Sequence, residues 1–267
     1  MNKQELLSDY KNQDDKLLLA KVLDKLDFCK SRNKIEYTDF LNLAQQDLVN
    51  SFLKKAKIAN YYFFGGAGEA ERKVLILYPE KLTEEMARKN HSKIMSIIKI
   101  NVPIELENEY DHRNYLGAIM KIGIEREKIG DISVKRKGAE IVIKNEVKNF
   151  LMQNLGALTR FASCQILTEN IDNLTKIETQ KIELNEIVAS LRLDNIVSAL
   201  ARTSRNKAVE MLEQERVFLN FKCETKSSKQ VSVGDIITIR GKGRFKFKEL
   251  SGNTKKGRYI IKIEKYI

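Results

Sequence analysis

From Arg240 to Lys248 the chain reads RGKGRFKFK, with a cation at every second position: Arg240, Lys242, Arg244, Lys246 and Lys248. Gly241, Gly243, Phe245 and Phe247 stand between them. Alternation of this kind fits an extended strand, where residues i and i+2 share a face and each residue rises about 3.3 Å. One face of the strand is then apolar. The other is a row of cations spaced roughly 6.6 Å apart. Like charges in a line repel one another, so a folded domain gains nothing from the row by itself, whereas a polyanion docks on it. The segment is expected to be a strand whose charged face meets nucleic acid.

The distribution of charge agrees. The chain carries 48 Lys+Arg against 36 Asp+Glu, a net charge of +12. Residues 181–267 hold 19 basic and 10 acidic side chains, so three quarters of the excess lies in the last third. An asymmetry between regions says more about a partner than net charge does.

At 267 residues the chain has room for two or three domains. With 42% hydrophobic residues it has the composition of a folded protein. No apolar run approaches the length of a membrane span, and the charged start, MNKQELLSDYKNQDDKLL, lacks the apolar centre of a signal peptide. Cys29, Cys164 and Cys223 lie far apart, and the only histidines are His91 and His112. These counts argue against disulfides and a zinc site, and for a reducing cytoplasm. No membrane contact, metal or cofactor is expected, and a monomer is.

Residues 1–78 are expected to form an N-terminal α/β domain. Leu17, Leu18, Val22 and Leu26 mark a first helix, and Thr38 is a candidate cap for a second that contains Phe40, Leu41, Leu48 and Phe52. ANYYFFGG and KVLILYP read as two strands joined by GGAGEAER. That turn lacks both the Gly-Lys-Ser/Thr end of a P-loop and the dinucleotide fingerprint, so a hairpin with glycines at positive φ is the favoured reading. Arg72, beside it, remains a candidate RNA contact.

Residues 79–168 show a recognisable order. A strand at 94–102 ends at Pro103, and a helix at 111–123 starts near Asp111. Two strands flank Lys137-Gly138, then come a helix from Asn145 and a strand in FASCQIL. This is β-α-β-β-α-β, the order shared by ferredoxin-like and RNA-recognition folds. The third strand, Ala139-Glu140-Ile141-Val142-Ile143, has no aromatic for base stacking, so the fold is expected without that binding mode. His112, Arg113, Arg126 and Lys128 are further candidate RNA contacts. Asp111-His112 is no catalytic pair, because adjacent helical residues do not face each other, and no other nucleophile–base order emerges.

Residues 169–183 read as a linker. Beyond it Leu193, Ile196, Val197 and Leu200 line one face of a short helix, and Ser204 is a good cap for a second. Arg205 and Lys207 in the first turn of the second helix oppose its dipole, a cost that a docked phosphate would reverse. RVFLN and DIITIR follow as strands. Leu191-Arg192-Leu193-Asp194, Ser204-Arg205, Lys207-Ala208, Val217, Asn220 and Val233-Gly234-Asp235 resemble the S-four RNA-binding domain, here placed at 184–267. In that family the two helices and the following loop bind structured RNA. The resemblance makes Arg192, Ser204, Arg205, Lys207 and Asn220 candidate contacts, with Asp194 orienting Arg192.

Further motifs extend the likeness along nearly the whole chain. Tyr37-Thr38-Asp39-Phe40-Leu41, Gly65-Gly66 with Ala70-Glu71-Arg72, the run from Asp111 to Ala118, the run from Gly123 to Ile132, and Arg240 to Phe245 resemble the YlmH family. Its members are bacterial cytoplasmic proteins with an RNA-recognition-like centre and a C-terminal S-four domain. The resemblance implies an α+β chain that binds rRNA of the large ribosomal subunit, and tRNA, in the rescue of stalled nascent chains, without catalysis. The competing reading is an RNA-modifying enzyme, pseudouridine synthase-like, anchored by its S-four domain. The only Arg-Leu-Asp sequence such an enzyme would use, Arg192 to Asp194, lies inside the binding module itself.

Overall fold

The computed structural model describes residues 3–68, 70–175 and 181–266. It divides into two compact units, residues 1–177 and 178–267. The boundary expected at residue 78 lies inside the first unit. Residues 176–180 of the expected linker, and Glu69 in the glycine turn, lie outside the described residues.

The first unit opens with α1 (Lys3–Ser8) and α2 (Gln13–Arg32), followed by β1 (Glu36–Tyr37) and α3 (Leu43–Lys55). Leu19, Val22, Leu23 and Leu26 of α2 pack against Val49, Phe52 and Leu53 of α3. Thr38 is not the cap of α3. It is buried in extended chain, where its Oγ1 accepts from the Leu75 amide at 2.9 Å. Asn42 caps α3 instead, in a capping box with Gln45. The better local cap wins because Phe40 and Leu41 must lie flat on the sheet to bury their side chains. β2 (Tyr61–Phe64) and β3 (Val74–Leu77) form the expected antiparallel hairpin, with β1 on the far side of β3. Gly66 in its turn sits at φ +93°, and a Cβ there would stand 2.8 Å from Ile171.

The short helices α4 (Glu84–Arg88) and α5 (His91–Ile94) lead into the β-α-β-β-α-β unit. Its elements are β4 (Met95–Asn101), α6 (His112–Lys121), β5 (Ile129–Lys135), β6 (Gly138–Lys144), α7 (Asn145–Asn154) and β7 (Gln165–Asn170). The sheet order β5-β6-β4-β7 is antiparallel throughout, as a split βαβ arrangement requires. Ile98, Ile100, Ile141 and Ile143 face α6 and α7, where Tyr115, Ile119 and Leu151 meet them.

The opposite face of this sheet is covered along β4 and β6. Met95, Ile97 and Val142 pack under Phe40, Tyr62, Val74 and Ile76 of the N-terminal segment. Further along, Glu140 accepts from the Thr175 amide and hydroxyl at 3.3 and 3.0 Å and pairs with Lys135 at 2.6 Å. Burial on both faces of β6 explains why it is apolar from Gly138 to Ile143 apart from Glu140, and why residues 1–78 do not stand apart as a domain.

The second unit is a six-stranded antiparallel sheet with two helices on one face. β8 (Lys181–Val188) precedes α8 (Leu193–Ala201) and α9 (Arg205–Glu213). Then come β9 (Val217–Leu219), β10 (Lys222–Cys223), β11 (Ile236–Ile239), β12 (Gly243–Asn253) and β13 (Tyr259–Tyr266), in the order β10-β9-β11-β12-β13-β8. Ile196, Val197, Leu200 and Leu212 from the helices bury against Ile237, Ile239, Phe245, Phe247, Ile261 and Ile263 from the sheet. No helix among the described residues is long and apolar enough to cross a membrane.

Candidate nucleic-acid interface

The sequence of α8 places Asp194 in its first turn, where a carboxylate suits the helix dipole. There it is only 1% exposed and collects two arginines. Arg192 donates from Nε at 3.2 Å and Nη2 at 3.0 Å. Arg205, from the start of the other helix, donates from Nε at 3.0 Å and Nη2 at 2.8 Å. Burial pushes the carboxyl pKa up, but the two guanidinium groups outweigh it and hold it below its ordinary value. Asp194 is therefore an anion that locks two forks in place. Both remain accessible, with side-chain exposures of 35% for Arg192 and 54% for Arg205. One negative charge faces two positive ones, so the cluster presents net positive charge outward.

Ser204 caps α9 as expected, its Oγ accepting from the Lys207 amide at 3.3 Å. Lys207 is exposed on the first turn. The bond between Asp194 and Arg205 is the part that sequence reasoning missed, since it closes an 11-residue separation that only the helix–turn–helix geometry brings together.

The cation row changes shape in the structure. Arg240, Gly241 and Lys242 form the turn between β11 and β12, with Gly241 at φ +81° inside it and Gly243 at φ +118° opening β12. Arg244, Lys246 and Lys248 do follow the strand, opposite the buried Phe245 and Phe247. Arg240 stacks over Phe218 at 4.9 Å and Arg244 lies over Tyr266 at 5.8 Å. Lys248 is drawn into ion pairs with Glu183 and, at 3.1 Å, Glu264. Of the row, Arg240 and Lys242 at the turn and Lys246 on the strand make no ion pair among the described residues.

Asn220 is exposed but hydrogen-bonded within the fold. At φ +47° it donates from Nδ2 to Asp235 at 2.8 Å and accepts from the Ile236 amide at 2.9 Å, pinning the chain between β9 and β11. Three candidates in the first unit are likewise engaged inside the fold. Arg72 donates to the carbonyls of Ile129 and Phe40 at 3.1 and 3.0 Å. Arg126 donates to Ile129 and Gly130, and burial together with Arg72 brings its pKa down to about 10. Lys128 pairs with Asp39 at 2.9 Å and Glu146 at 2.7 Å. Asp131 completes this network by accepting from the Glu71 and Arg72 amides at 2.6 and 3.0 Å, which fastens the glycine turn to β5. The glycine turn and the Arg-Glu-Lys motif thus converge on a structural joint. His112 and Arg113 remain exposed at the start of α6, behind the Asp111 capping box.

Comparison with known proteins gives one domain match in each unit. Residues 89–172 match the model of the putative RNA-binding domain in YlmH, and residues 191–237 match the S4 domain. The chain is 28% identical over 257 residues to the ribosome-associated protein quality control protein P2 of Bacillus subtilis, covering 95% of this chain and 96% of that one. The cell division protein ylmH from Streptococcus pneumoniae superposes with a TM-score of 0.46 at 19% identity, over 60% of this chain and 93% of that one. The two domain matches, in this order, and the near full-length similarity bear out the resemblance read from the sequence: the chain is similar to the YlmH family, with a match to its RNA-binding domain followed by a match to the S4 domain.

Proposed function

We propose that the protein is a non-catalytic RNA-binding factor that docks on the large ribosomal subunit through its S4 helices and acts on stalled nascent chains still attached to tRNA. The observation that carries this reading is the convergence of Arg192 and Arg205 on one buried carboxylate, which presents two preorganised guanidinium groups beside the capped start of α9. Planar forks suit phosphate geometry, and fixing them in advance lowers the ordering cost of binding. The ribosomal part rests on the similarity to the Bacillus subtilis quality control protein.

The modifying-enzyme reading gains no support from the same site. Asp194 is buried beneath its two arginines and offers no free carboxylate to a base.

Sucrose-gradient sedimentation of tagged protein in lysate provides the test. Wild type is expected with large subunits at low salt, and Arg205→Ala is expected near the top of the gradient. Each phosphate contact removed should lower the slope of log affinity against log salt by about one. Wild-type protein that stays at the top of the gradient while binding free RNA would overturn the ribosomal assignment.

A further inference from the structure

The second unit carries a group of cations that neither the S4 match nor the motifs above include. The turn joining β12 to β13 reads Thr254-Lys255-Lys256-Gly257-Arg258. Residues 250–263 contain no acidic side chain, so nothing within the hairpin end neutralises it. Lys255, Lys256 and Arg258 are exposed and make no ion pair among the described residues. On the same strands Lys248 pairs with Glu183 and Glu264, and Lys262 with Glu249.

The turn is built to hold its shape. The Thr254 amide donates to the Arg258 carbonyl at 2.8 Å, the Gly257 amide to the Thr254 carbonyl at 2.9 Å, and the Arg258 amide to Thr254 Oγ1 at 3.1 Å. Gly257, at φ +74°, takes the conformation that closes it. Three cations on a pinned turn lose less freedom on meeting an anion than the same cations on a loose loop.

Its place in the sheet gives the turn a partner. Tyr259, the residue after it, pairs with Val188 at the end of β8, and β8 runs straight into α8. Val188 and Arg192 are four chain steps apart, so chain geometry limits the Cα distance from Arg258 to Arg192 to about 24 Å. An open cleft of about 520 Å³ begins at this edge of the sheet. Ile187 and Val188 line one side, and Asn195, Ser198, Arg202 and Ser204 line the other, up to the start of α9. Arg202, exposed at φ +51° between the helices, adds a cation along the way.

We propose that Lys255, Lys256 and Arg258 form a second phosphate contact that grips the same RNA molecule as the α8–α9 face, with the RNA backbone lying across the cleft between them. This rests on the RNA-binding reading above and extends it to a surface beyond residue 237, where the S4 match ends.

The experiment uses full-length protein and, as probe, labelled protein-free RNA extracted from purified large ribosomal subunits, titrated between about 50 and 200 mM salt. The Lys255→Ala/Lys256→Ala/Arg258→Ala variant should lose two to three from the salt slope, about one for each phosphate contact, and at least tenfold in affinity. The charge-preserving variant Lys255→Arg/Lys256→Arg/Arg258→Lys should bind as wild type does, and both should melt as wild type does. Adding Arg205→Ala to the alanine variant should add the two losses in log affinity, as separate contacts do. An unchanged slope in the alanine variant, with Arg205→Ala still lowering it, refutes the second contact and leaves the S4 surface standing. Wild-type protein that does not bind the probe refutes both.

Discussion

A buried carboxylate between two half-exposed arginines gives Asp194 two separable roles. It holds the fold around the start of α8, where it also accepts from the Asn195 amide at 2.9 Å, and it aims the guanidinium groups. Asp194→Asn keeps the shape but removes the charge that aligns both forks. We expect it to cost about 1–3 kcal/mol in denaturant unfolding and to weaken RNA binding more than Arg192→Ala alone, because both arginines are then released. Binding equal to wild type in a folded Asp194→Asn protein would show that the arginines need no alignment. A second residue-scale device is His91, whose ring stacks on Phe64 at 3.5 Å and bonds Tyr62 Oη at 2.9 Å. Burial, reinforced by Arg88, pushes its pKa from 6.5 down to about 4, so the folded protein keeps the ring neutral. Its contribution to stability is complete above about pH 6.5 and drains away as the pH falls towards 4, because only the unfolded chain takes up the proton in that window. The loss should reach on the order of 2–3 kcal/mol. Unfolding curves at pH 7 and 4.5 should show it in wild type and not in His91→Phe; equal losses in the two proteins would assign the effect to other groups.

At the scale of elements, local signals and long-range ones fared differently. The β-α-β-β-α-β order, the two S4 helices and the Ser204 cap were legible because apolar spacing and capping chemistry act over a few residues. Phe40 and Leu41 were read as helical because their spacing also fits a helix, and only the surface they cover shows that they are extended. The cation row misled in the same way. Alternation between glycines fits a strand, but it equally fits a turn whose glycines take positive φ, and Gly241 and Gly243 do so. Arg72 and Arg126 looked available since a sequence gives charge and not partners; the carbonyl acceptors of Arg72 lie 32 and 57 residues away, while those of Arg126 lie three and four residues on. The arginine pair on Asp194 was half visible, through Arg192 two residues away, and half hidden, through Arg205.

Across the whole molecule, charge and fold are divided unequally. The second unit carries most of the positive excess and the S4 match, while the first unit buries both faces of β4 and β6, the central strands of its four-stranded sheet. RNA-recognition domains use the open face of such a sheet to stack bases; here Phe40, Tyr62, Val74 and Ile76 occupy it. The covering has a practical corollary for anyone dissecting the chain. A fragment cut to begin at residue 79, on the pattern of an autonomous RNA-recognition domain, would bare Met95, Ile97 and Val142 as one greasy patch. Such patches drive self-association. Expressed alone, residues 79–175 should precipitate or elute as aggregates on size exclusion, and residues 1–175 should remain soluble. A well-behaved 79–175 monomer would mean that the N-terminal segment is a detachable cover and not half of the core.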